Sequence, residues 1–137
     1  MPKAADQRVL RVIDANFNRA KEGLRVCEDI CRFFYDRGTW SKEYKNIRHR
    51  LTTVVAQLKV VAVIQARDIL GDVGKRSSAT EFQRRDVADV YYANSQRVKE
   101  SLRVLEEFSK LTNSRISEHV KRLRYKIYAL EKEIVKR

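Results

Sequence analysis

Residues 15–29 read ANFNRAKEGLRVCED, and 78 positions later residues 93–107 read ANSQRVKESLRVLEE. Nine of the fifteen aligned positions are identical, so the chain writes nearly the same segment twice. Around the first copy, Leu10, Ile13, Phe17, Ala20, Leu24, Cys27, Cys31 and Phe34 step by three and four, the spacing of one buried helix face. This predicts a first helix over about residues 8–36. Gly38 breaks it, Thr39 or Ser41 can cap the next, and Tyr44, Ile47, Leu51, Val54, Leu58 and Val61 carry the same step to about residue 69. In the second half, Asp86 or Asp89 opens a helix with Tyr91, Val98, Leu102 and Leu105 on its stripe. Asn113 and Ser114 mark a turn, and Ile116, Val120, Leu123, Ile127, Leu130 and Ile134 form the last helix. The duplication reaches the second member of each hairpin, because IRHRL at 47–51 answers LRYKI at 123–127. The expected fold is all-α: one domain over residues 1–137, a helical bundle of two duplicated antiparallel hairpins (about 8–36/40–69 and 86–112/115–135), with the repeats 8–69 and 86–135 joined by loop 66–85. Only four Gly and one Pro interrupt the chain, which suits long helices.

Thirty Lys and Arg stand against 18 Asp and Glu, a formal charge of +12, so an anionic partner is expected: nucleic acid, an acidic membrane surface or a phosphorylated small molecule. The longest apolar run, VVAQLKVVAVI, is interrupted by Lys59 and too short to span a bilayer, and no signal core opens the sequence. A soluble, cytoplasmic protein with no membrane association follows as the expectation. Cys27 and Cys31 fall on the apolar stripe and read as buried thiols; they and the two histidines lack metal-ligand spacing.

What the repeat keeps is mostly polar, while stripe positions differ: Phe17 against Ser95, Ala20 against Val98, Cys27 against Leu105. A repeat held only by packing would do the reverse. Exposed ion pairing explains part of it, since Arg19, Glu22, Arg25 and Glu28 alternate in sign at i, i+3. It explains Asn16 and Asn94 less well, because Asn is a poor helix-interior residue. At 100° per residue Asn16, Arg19 and Gly23 share one strip and Asn94, Arg97 and Ser101 its equivalent, with the small residue leaving room for a ligand or a close helix. Glu22 and Glu100 point farthest from the core and rank lower. Arg48, its counterpart Arg124, His49 and Tyr125 are placed to line the same cleft from the second helix of each hairpin.

Between the hairpins runs ARDILGDVGKRSSATEF, with Gly71 and Gly74, Asp68 and Asp72, then Lys75 and Arg76. Free backbone amides, carboxylates for Mg²⁺ and cations for phosphate suit a phosphate-handling loop. It does not have P-loop spacing, and a helix-ending glycine in a connecting turn accounts for it equally well.

Taken in order, DANFNRAKEGLRVCED, IRHRL, ARDILGDVG, ANSQRVKESLRVLEEFSKL and LRYKIYALEKE resemble the small helical hydroxymethylpyrimidine-phosphate kinase of thiamine biosynthesis, over about residues 8–134. That family occurs alone or fused ahead of thiamine-phosphate synthase; with the sequence ending at Arg137, the standalone form is expected, with the synthase as a separate chain. The resemblance implies ATP and Mg²⁺ as cofactors. It also implies phosphoryl transfer to 4-amino-5-hydroxymethyl-2-methylpyrimidine phosphate, without activity on the free alcohol. Cys27 departs from the aliphatic residue expected there, which touches packing only. On the chemistry of the residues at matching positions, we assign Arg19, Arg97, Arg48 and Arg67 to phosphates and Asp68 and Asp72 to Mg²⁺. Asn16, Asn94, Arg25, Arg103, His49, Lys75, Gly71 and Gly74 are assigned to substrate binding. Two alternatives remain: a basic bundle binding nucleic acid, against which the basic residues are interleaved with acids, and a structural module with no catalysis. The site could also be completed across a homo-oligomer interface.

Overall fold

The computed structural model describes residues 6–58, 60–76 and 83–136. It is all-helical, with no strand among the described residues: α1 (Gln7–Asp29) runs into a π-helical turn (Ile30–Phe34), followed by α2 (Gly38–Val55), a short α3 (Val60–Gln65), α4 (Val87–Ser109) and α5 (Ser114–Val135). Of the connecting segment 66–85, residues 77–82 lie outside the described residues. Three helix starts are fixed by side-chain caps. Asp6 accepts from the Arg8 amide, Asp86 from the Asp89 amide and Asn113 from the Arg115 amide, each satisfying a donor of the first turn. α2 starts without one: its N-cap is Arg37, and neither Thr39 nor Ser41 takes that place.

α1 and α4, the two helices that carry the repeat, pack chiefly on each other; α2 lies on α1, α5 on α4, and α2 meets α5. The core is the predicted stripe of each helix, with Ile13, Ala20, Leu24, Cys27, Val98, Leu102, Val120 and Ile127 fully enclosed. Each buried aliphatic side chain contributes about 1.5–3 kcal/mol relative to exposure. Gly23 marks the closest approach: a Cβ there would stand 2.6 Å from Val98 Cγ2 and 3.1 Å from the Asn94 carbonyl. The small residue therefore serves a close helix. One end of the bundle is closed by aromatics, with Tyr44 and Tyr91 sharing a buried hydroxyl–hydroxyl bond of 2.7 Å and Tyr35 packed edge-on to Trp40. Burial pushes the Cys27 thiol and both of these tyrosine hydroxyls well above their ordinary ranges, so none is a nucleophile near neutrality.

Two expectations about the helices are corrected. Phe34, placed on the buried stripe, is 67% exposed. The Tyr35 amide donates to the Ile30 carbonyl, five residues back, and the extra residue in this turn rotates Phe34 out while Ile30 and Cys31 stay in. The second helix does not reach residue 69. It ends at Val55, where the Thr52 and Thr53 hydroxyls bond the Arg48 and His49 carbonyls and the Gln57 and Leu58 amides turn to i−3 acceptors. α3 then starts in a new phase against α1, burying Val63 and Ala66 and leaving Val61 exposed.

Candidate active site

The break after α2 sends the chain back along the first half of α1, and this places the connecting loop. Arg67 Nε and Nη2 donate to Asp14 Oδ2 and Oδ1, each at 2.7 Å, and Asn18 Nδ2 adds a bond of 3.2 Å to the same carboxylate. Asp14 is buried, so a two-pronged pair fastens the loop to α1. Beyond it, Asp68 accepts from the Gly71 amide at 2.7 Å and Asp72 from the Gly74 amide at 2.9 Å. The Asp68 carboxylate lies where a Gly71 Cβ would be. A side chain at position 71 would have to move that carboxylate aside.

A cleft of about 600 Å³ lies between this loop and α1, lined by Arg8, Arg11, Asn16, Arg19, Asp68 and Asp72 among others. It shares Asn16 and Arg19 with a second recess whose far wall is Arg97, Glu100 and Ser101 of α4. That recess in turn shares Glu100 with a third, lined by Gln96, Lys99, Arg103, Arg124 and Tyr128. The result is a groove that starts at the two loop carboxylates and crosses α1 and α4 to reach α5.

The repeated arginines separate into two sets. Arg48 Nε bonds Glu28 at 2.9 Å and Arg124 Nε bonds Glu106 at 2.9 Å, equivalent pairs in the two hairpins, each on a glutamate about 95% buried. Arg25 and Arg103 lie over the same glutamates at 3.4 and 3.6 Å. These four, together with Arg67, are held by carboxylates. Among the described residues no ion pair holds Arg11, Arg19 or Arg97, which line the groove. Arg25 lies in a separate groove between α1 and α2, Arg103 in the recess at α5, and Arg48 in none of these cavities; the expectation that Arg48 and His49 line the cleft from α2 is not met. His49 is exposed on α2. The Asn16 and Asn94 amides donate to their own helix, to the Val12 and Val90 carbonyls at 2.9 and 2.8 Å; Asn16 still lines the cleft and Asn94 does not. Gly74 and Lys75 are exposed in the loop.

The sequence did not single out Arg8, Arg11, Asp14 and Asn18, which line the cleft, and Glu100, ranked lower for pointing away from the core, lines the second and third recesses. A signal was present: Arg8, Arg11, Ala15 and Arg19 step by three, four and four along one face of α1. For a metal, no cluster of three or more His, Cys, Asp or Glu side chains is close enough to enclose an ion among the described residues. Asp68 and Asp72 offer hard oxygen ligands on one wall of the cleft. That donor set fits Mg²⁺ arriving with phosphate, which binds through one or two carboxylates and completes its shell with phosphate oxygens and water.

Fold and cleft together define a small all-α bundle with an arginine-lined groove across its two central helices. The chain belongs to the ThiD2 family, whose profile matches residues 11–133, and so to a family of thiamine biosynthesis. It is similar to the thiamine-phosphate synthase of Synechocystis sp. (41% identity over 132 residues, 96% of this chain and 37% of that one). The corresponding protein of Rhodopirellula baltica is 36% identical over 135 residues, 98% of this chain and 36% of that one. The chain thus spans a little over a third of the length of the curated relatives it matches. No solved structure matches it. No helix among the described residues is long and apolar enough to cross a membrane.

Proposed function

We propose that this chain transfers the γ-phosphoryl group of ATP to 4-amino-5-hydroxymethyl-2-methylpyrimidine phosphate, giving the diphosphate and ADP. The observation that carries the reading is that Arg11 and Arg19, held by no carboxylate among the described residues, line a cleft whose other wall bears Asp68 and Asp72, while Arg97, likewise unpaired there, lines the adjoining recess that shares Asn16 and Arg19. Family membership and the names of the relatives supply the pathway.

The chemistry asks for what these residues offer. The nucleophile is an oxygen of the acceptor's phosphate, largely ionised near neutrality because its second pKa is about 6. Its bond to the γ-phosphorus forms as the bond from that phosphorus to the β,γ-bridging oxygen breaks, and the electron pair leaves with ADP. No general base is required. The work is to hold two mutually repelling anions in line and to neutralise charge spread over the transferring oxygens. Arg11, Arg19 and Arg97 present N–H forks for that purpose. Asp68 and Asp72 would hold Mg²⁺, which neutralises phosphate charge when bound.

Selectivity tests the reading. Without its phosphate the acceptor loses its nucleophile and leaves guanidinium groups without a partner, a loss of about 10³-fold or more in kcat/KM. ADP release measured at equal concentrations of monophosphate and free alcohol should therefore be confined to the monophosphate. Comparable rates on both would mean that the arginines do not grip that phosphate, and activity on neither would remove the kinase reading.

A further inference from the structure

The α5 end of the groove is built differently from the rest. Tyr128 is 43% exposed there, with Lys99 Nζ 5.5 Å and Arg124 Cζ 5.8 Å from its ring centroid, and its hydroxyl accepts from Arg124 Nη1 at 3.2 Å. Beside it Tyr125 is 56% exposed, at 5.7 Å between ring centroids. Gln96 and Glu100 form the α4 side of the recess, and neither side chain makes a hydrogen bond or ion pair among the described residues.

The repeat sharpens the point. Lys21, Glu22, Arg25, Glu28 and Arg48 answer Lys99, Glu100, Arg103, Glu106 and Arg124, and the arginine–glutamate pairs recur in both hairpins, whereas the pairing of Lys99 with Glu131 at 2.8 Å belongs to the second alone among the described residues. The positions that answer Tyr125 and Tyr128 are His49 and Thr52. At these two positions only the second hairpin carries rings; in the first, Lys21 lies instead over the Phe17 ring of its own helix, 5.3 Å from its centroid. Tyr128, partly exposed, lining the recess and with two cations over its ring, offers an aromatic surface to a ligand there.

From this we infer that the recess between α4 and α5 is a base subsite, in which an amino-substituted heteroaromatic ring stacks on Tyr128. Gln96 and Glu100 face its amino edge: a side-chain amide pairs with an amino group next to a ring nitrogen, and a carboxylate accepts from the amino N–H. The subsite rests on the proposed kinase reading only for the identity of its occupant. Adenine and the 4-aminopyrimidine share the amino edge, and the direction of the phosphates along the groove decides between them.

Binding without turnover tests it. Isothermal titration of the full chain with the non-hydrolysable ATP analogue AMP-PNP, with the aminopyrimidine monophosphate and with base-free inorganic pyrophosphate would be compared in wild type, Tyr128→Leu, Tyr128→Phe and Gln96→Ala. The expected result is that Tyr128→Leu weakens one of the two base-bearing ligands by about ten-fold, leaves pyrophosphate unchanged, and that Tyr128→Phe stays near wild type. Whichever ligand loses affinity names the occupant. Equal losses for all three ligands, or a Tyr128→Phe loss as large as that of Tyr128→Leu, would show a structural role through Arg124 and overturn the subsite. So would unchanged affinities in every variant. A base-dependent loss in a protein that transfers no phosphate would keep the subsite and remove the kinase reading; normal turnover with unchanged KM in Tyr128→Leu would do the opposite.

Discussion

Arg19 and Arg48 look alike in the sequence, each a repeated arginine in a polar stretch, and a carboxylate separates them in the fold. Arg48 and Arg124 neutralise glutamates that are almost fully enclosed. Removing either cation leaves a buried charge without its main partner, which costs about 3–5 kcal/mol, so Arg48→Ala and Arg124→Ala should lower the melting temperature by several degrees or more. Replacing both members, as in Glu106→Met with Arg124→Met, should recover much of that loss in thermal denaturation. Arg19→Ala and Arg97→Ala should do the reverse: the proposed phosphoryl transfer falls by about 100-fold while the melting temperature scarcely moves, because neither side chain has an ion-pair partner among the described residues. Should Arg48→Ala abolish transfer at an unchanged melting temperature, the division of the arginines is wrong. The Asp68–Gly71 turn permits a finer test of the loop. A methyl at Gly71 displaces the Asp68 carboxylate that folds over it, so Gly71→Ala should raise the Mg²⁺ concentration needed for half-maximal rate without altering helix content by circular dichroism.

For the elements, the crossing of α1 and α4 decides the spacing of the groove walls. Gly23 lets the helices approach until Val98 Cγ2 and the Asn94 carbonyl occupy the space a side chain would need. Gly23→Ala must push α4 away, and overpacking of this kind costs about 1–3 kcal/mol. Trimming the opposing side chain in Gly23→Ala/Val98→Ala should return part of the stability, as read by urea denaturation; an additive double mutant would place the clash elsewhere. Glycine at this point was visible as a small residue in a strip, but its two readings, ligand space or helix contact, differ only in what lies opposite, and sequence spacing does not report that. The same holds for the helix ends. Asp6, Asp86 and Asn113 announce α1, α4 and α5 by their side chains, whereas the π-helical turn and the stop at Val55 arise from backbone bonding that a three-four apolar pattern passes over.

At the scale of the molecule, the two hairpins and their stripes were legible because burial alone dictates them, down to α5, where every predicted stripe residue is enclosed. The groove was legible only in part. Arg19, Arg97, Asp68 and Asp72 were named for their chemistry, yet nothing in local spacing brings residue 67 to residue 14, and that contact assembles the cleft. The Asp14–Arg67 pair is the fastening between the connecting loop and the bundle. In Asp14→Asn the shape is kept and the charge is lost, so the two-pronged pair weakens while the apolar core stays intact. The Arg67 side chain is then free to enter a protease, and trypsin should cut the 67–68 bond several-fold faster than in wild type. Cleavage after Lys75, exposed in the loop in either case, serves as the internal reference, with both products quantified by mass spectrometry. The melting temperature should fall only slightly, since the loop contributes little core, and the KM for Mg²⁺-ATP should rise because Asp68 and Asp72 are no longer held against α1. If the ratio of the two cleavage products stays at its wild-type value, the ion pair does not fasten the loop, and the cleft would have to be assembled by the packing of Val63 in α3 and of Ala66 just after it instead.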